Sequence, residues 1–118
     1  MLKPLVLLAA LVLPFPALAQ DALVREGQVL VEGYCSDCHA IGLAGDSPHP
    51  EAPPFRTLHE RYAVDWLSEA LVEGLVTGHP DMPEFEFDPV QAASIVAYLE
   101  WLEVAGPDHG GAKPPAAP

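Results

Sequence analysis

Five residues, Cys35-Ser36-Asp37-Cys38-His39, constrain this chain more than any other feature. They contain the only two cysteines in 118 residues, and a histidine follows the second directly. C-x-x-C-H is the spacing at which a c-type haem is attached. Each thiol forms a thioether to one of two vinyl groups on adjacent rings, and a two-residue gap at the end of a helix spans that distance. The next side chain then points at the iron, which makes His39 the expected proximal ligand.

Three other uses of such a pair fit less well. A C-x-x-C redox centre needs a thioredoxin-like βαβ context, and no strand pattern surrounds this one. A structural zinc site needs four ligands, and no pair of histidines at H-x3-5-H spacing exists to complete it. A disulfide closed across two residues is strained.

The ends of the chain carry signals of their own. Lys3 is a short positive n-region and Leu5 to Leu13 an apolar h-region. Pro14 and Pro16 break it, and Ala17-Leu18-Ala19 is an A-x-A cleavage site. Residues 1–19 are therefore expected to be a signal peptide cleaved after Ala19. The apolar run is shorter than the roughly 18–20 residues of a membrane span, and no later segment is apolar enough to insert stably. Residues 20–105 form the expected domain, small enough to need a staple for its core. Haem held by two covalent links and two axial ligands is such a staple. Residues 106–118 are mostly Gly, Pro and Ala with a few polar residues, and read as a disordered tail.

With 17 acidic and 5 basic residues the formal net charge is −12. Losing Lys3 with the signal segment takes it to −13. Nucleic acid and anionic membrane surfaces are excluded as partners, and any electrostatically steered partner should present a basic face.

Between the ends the pattern is all-α. Leu23, Gly27, Leu30, Val31 and Tyr34 recur at helical spacing, which predicts a first helix from about Ala22 to Tyr34 delivering the cysteines at its end. Ala40 to Pro54 is too rich in Gly and Pro for regular structure. A middle helix with Leu67, Ala70, Leu71 and Leu75 as its apolar stripe is expected from an Asp65 N-cap to Val72 or Glu73, stopped by Gly74. The last helix has the clearest signals. Asp88 is the N-cap, Pro89 stands at N1, and Gln91 at N3 closes a capping box. It should run to about Glu103 with Ala92, Ile95, Val96, Leu99 and Leu102 on its core face. Tyr98 and Trp101 make a second face apolar, so this helix must be buried on both sides. Long loops in so small a domain are unusual unless they wrap a large cofactor.

Once Met1 leaves, Met82 is the only methionine. It sits in the loop Thr77-Gly78-His79-Pro80-Asp81-Met82-Pro83. A weak iron–thioether bond needs a ligand held by a rigid loop, and Pro80 and Pro83 stiffen this one. His79 is its main competitor as sixth ligand, and His49, His59 and His109 are weaker ones.

Together these residues resemble the small monohaem class I c-type cytochromes, especially the exported bacterial ones. The resemblance covers Ala22 to Leu102. Gly27 stands eight residues before Cys35, where the family keeps a glycine for close helix contact. Val31 stands where the family often has an aromatic. Val96-Ala97-Tyr98-Leu99 matches the family's last-helix pattern, and Thr77 to Phe85 its methionine loop. The resemblance implies a class I cytochrome c fold of three to four helices and long loops around one haem c, covalent through Cys35 and Cys38 and ligated by His39 and Met82. It further implies that the Ile95 and Tyr98 positions cross Gly27 and Val31, and that Leu99 touches haem. A proline carbonyl, from Pro53 or Pro54, would accept a hydrogen bond from the second nitrogen of His39. Phe55 would pack on the haem. Trp66 is either a propionate partner, as a family tryptophan is, or a plain helix-face aromatic. One departure concerns docking: many members ring the haem edge with lysines, and this chain has almost none.

The function so implied is that of a periplasmic one-electron carrier, not an enzyme, whose redox partners present a basic or apolar docking face. Two alternatives stand beside it. One is an electron-relay subunit of a larger periplasmic oxidoreductase. The other is a haem-based sensor or ligand binder with a labile sixth site.

Overall fold

The computed structural model describes residues 15–76 and 80–106. The expected signal segment lies outside them up to residue 14, as do His79 and His109 and all of the tail beyond Gly106. The described residues form three α-helices and two 3-10 turns: α1 (Phe15–Tyr34), 3-10 turns at Phe55–Glu60 and Val64–Trp66, α2 (Leu67–Glu73) and α3 (Pro89–Ala105). Among the described residues there is no strand, and no helix is long and apolar enough to cross a membrane.

Among the described residues α1 runs from Phe15, seven residues ahead of the expected Ala22, and Ala17, Leu18, Ala19 and Gln20 are good helix formers. Residues 17–22 are exposed, so propensity rather than packing carries this extension. Further along, Val24, Leu30 and Val31 are buried and Leu23 is half-buried against them. Tyr34, expected on the core face, is 50% exposed and turns its ring toward Phe85 and Phe87 (centroids 5.6 and 5.3 Å away, edge-on).

The last helix starts as its sequence dictates. Asp88 accepts from the backbone N–H groups of Val90 (2.8 Å) and Gln91 (2.9 Å), and Gln91 accepts from Asp88 N–H (3.1 Å). It runs two residues past Glu103 because Ala105 still faces the core, 1% exposed. Ala92, Ile95, Val96, Leu99 and Leu102 are all buried, and so is Tyr98.

Helices α1 and α3 form the main packing contact. At their crossing a side chain on Gly27 would overlap the Ser94 carbonyl oxygen and stand 2.8 Å from Tyr98 Cβ. Ser94, fully buried, is small enough for this approach, and its hydroxyl donates to Val90 O within the same helix (2.9 Å).

The middle of the chain departs most from expectation. Asp65 is not an N-cap. It lies inside the 3-10 turn Val64–Trp66, which follows Ala63 without any side-chain cap. The helix proper starts only at Leu67 and ends at Gly74, whose φ of 106° suits glycine. The turn Phe55–Glu60 was not expected at all. It buries Phe55 and Leu58, three residues apart, as a three-residue-per-turn helix requires.

Candidate haem site

Local hydrogen bonds carry the cysteine motif on from the end of α1. Cys35 N–H donates to Val31 O (2.9 Å), His39 N–H to Cys35 O (2.9 Å), and the Ser36 hydroxyl to Glu32 O (2.6 Å). The loop after it closes on itself, because Phe55 N–H donates to Ala40 O (2.9 Å) while Ala40 N–H donates to Ser47 Oγ (3.0 Å). That closure returns Pro53 to the motif, and His39 Nδ1 stands 2.8 Å from Pro53 O. The carbonyl facing His39 is thus that of Pro53. Pro54 O is used elsewhere, accepting from the N–H (3.0 Å) and hydroxyl (2.9 Å) of Thr57 at the start of the 3-10 turn. With Nδ1 donating to a carbonyl, the unprotonated ring nitrogen of a neutral imidazole is Nε2, the lone pair a metal requires. The Phe55 ring lies against the His39 ring with centroids 4.7 Å apart.

A cavity of about 710 Å3 opens between the motif and the methionine loop. Cys35, Cys38, His39, Pro53, Phe55 and Met82 all line it. Two backbone bonds hold the far leg of the methionine loop to α2 and the residues just after it: Leu75 N–H to Phe85 O (3.1 Å) and Phe87 N–H to Leu71 O (2.8 Å).

Some expected residues lie elsewhere. Leu99 is buried but does not line the cavity; α3 meets it at Ile95. Trp66 is 74% exposed and also stands outside. Sequence reasoning missed Arg61 and Tyr62 on the wall, as well as Asp81. Leu67, Leu71 and Leu75, read only as an apolar helix stripe, turn out to face the cavity.

These residues fit a haem. The volume lies within the roughly 300–1,000 Å3 of small-molecule sites, and the walls are largely apolar with few polar groups. Imidazole and thioether donors suit iron. Arg61 borders the cavity and brings a cation to its rim, and haem carries two anionic propionates. Cys35 and Cys38 are free thiols. Burial pushes the Cys35 thiol up to about 11, which is the opposite of the lowered value a redox-active thiol needs. No group of three or more His, Cys, Asp or Glu side chains suited to a metal ion occurs among the described residues, so a multi-ligand zinc site has no footing there.

Residues 24–103 match the family described as cytochrome c. Cytochrome c-552 of Bradyrhizobium diazoefficiens is 32% identical over 83 residues, covering 70% of this chain and 76% of that protein. No solved structure gives a significant match.

Proposed function

Since the chain belongs to the cytochrome c family, and is thereby a haem-binding electron carrier, we propose that it works in the periplasm as a one-electron shuttle with His39 and Met82 as axial ligands. The observation that carries this reading is the single cavity that gathers Cys35, Cys38, His39 and Met82, with His39 Nδ1 engaged by Pro53 O.

Each residue has a part. Cys35 and Cys38 fix the cofactor's position by covalent bonds. Pro53 holds the His39 ring in one tautomer and one orientation, and raises its basicity. Met82 supplies a neutral thioether, which raises the potential relative to a second imidazole. Phe55, Leu71 and Ile95 keep water from the walls. When bound, haem supplies the Fe(III)/Fe(II) couple that carries the electron. His39 and Met82, both drawn from a braced scaffold, would hold the iron with little reorganisation when its charge changes. On this reading the protein carries electrons and performs no substrate chemistry of its own. The A-x-A site at Ala17–Ala19 supports export with cleavage after Ala19.

Optical spectra of the purified protein, oxidised and reduced, with and without carbon monoxide, test this. A low-spin reduced spectrum, a weak far-red iron–methionine band when oxidised, and indifference to carbon monoxide are expected. A high-spin spectrum or ready carbon monoxide binding would replace the carrier by a sensor with an open sixth site.

A further inference from the structure

His49 bridges the two halves of the site. Its backbone N–H donates to Cys38 O (3.1 Å), and its carbonyl accepts from Ala52 N–H (3.1 Å). The backbone N–H of Glu51 donates to its Nδ1 (3.2 Å). In the neutral ring the proton must then lie on Nε2, which stands 3.1 Å from Asp81 Oδ2 and donates to it. Asp81 immediately precedes Met82, and all three side chains line the same cavity.

We propose that His49 is a positioning residue for Met82: through Asp81 it clasps the methionine loop to the segment bearing Cys38 and His39. This rests on Met82 being the sixth ligand. The loop's leg after Met82 is already held, at Leu75–Phe85 and Leu71–Phe87. The His49–Asp81 bond supplies a tie on the leg before Met82. A thioether is a weak ligand, so the loop and not the bond must set its position, and two braced legs set it better than one. The clasp is partly open to solvent, with His49 at 28% and Asp81 at 68% side-chain exposure. It therefore contributes little to global stability and shows itself in the fraction of time Met82 is bound.

That fraction can be read with imidazole, which binds the haem protein only when Met82 has left. Its apparent affinity rises in proportion to the open population. At a single neutral pH, His49→Ala and Asp81→Ala should each tighten imidazole binding about three- to tenfold, the factor expected for one net hydrogen bond. Covalent haem and helix content should persist in both. The double variant should bind no tighter than either single one, because one bond is removed in all three. Asp81→Asn keeps an acceptor for His49 and should stay near the parent. Imidazole affinity unchanged in His49→Ala, effects that multiply in the double variant, or Asp81→Asn behaving as Asp81→Ala would each overturn the clasp. Met82→Ala is measured alongside. If it leaves the far-red band and imidazole affinity untouched, the ligand assignment fails and the clasp with it. If it opens the site while His49→Ala does not, only the clasp fails.

Discussion

Gly27 shows how far one residue type can set a fold. The Ser94 carbonyl occupies the space a Cβ would need, and that oxygen belongs to a helix backbone that cannot swing aside like a flexible side chain. Gly27→Ala must therefore push α1 from α3, and overpacking of this kind costs about 1–3 kcal/mol. Urea unfolding of the haem-loaded variant checks this; a loss below about 0.5 kcal/mol would mean that the helices part without strain. His39 is constrained in another way. Its imidazole is held by a carbonyl fourteen residues downstream, so the orientation of the proposed ligand at one end of a loop depends on how that loop closes at the other. The sequence left Pro53 and Pro54 as equal candidates because adjacent prolines offer similar carbonyls. What separates them is the 3-10 turn that begins at Phe55 and draws Pro54 O toward Thr57.

At the scale of elements, one bond joins α3 to the loop after the cysteine motif: the Tyr98 hydroxyl donates to Ile41 O (2.7 Å). Burial, with Glu32 adding to it, pushes the phenol from 10.0 up to about 12. The folded protein thus keeps a proton that the unfolded chain releases near pH 10. Between these values the folded state binds more protons, so stability falls as pH rises from about 10 to 12. Denaturation midpoints across that window should drop more steeply in the parent than in Tyr98→Phe, and equal slopes would remove Tyr98 from the account. Legibility also varied by element. The start of α3 was plain because its cap is local chemistry: Asp88, Pro89 and Gln91 satisfy one another within four residues. The 3-10 turns were hidden because Phe55–Leu58 and Val64–Leu67 are single i, i+3 pairs, too short to show a period, and Asp65 resembles a cap until tighter bonding begins one residue earlier. Leu67, Leu71 and Leu75 looked like any buried stripe. Periodicity says which face of a helix is apolar, but not whether protein or cofactor covers it.

For the whole molecule, the dominant long-range fact is charge, with 17 acids against 5 bases. A field of that sign favours approach by cations and falls away as salt shortens its reach to about 3 Å near 1 M. Oxidation of the reduced protein by small cationic and anionic one-electron reagents of matched potential should differ about tenfold or more in favour of the cation at low salt, and converge at high salt. Equal rates at low salt would mean that the acids lie away from the site of transfer. Shape has a consequence as well. A cavity of about 710 Å3 in so small a domain means that its occupant is the largest single piece of the core. On the proposed attachment to Cys35 and Cys38, that piece becomes part of the chain, present at an effective concentration set by two short tethers and not by supply. Completing the interior then becomes a first-order event, independent of dilution, and assembly acquires an order in time: attachment first, packing around it second.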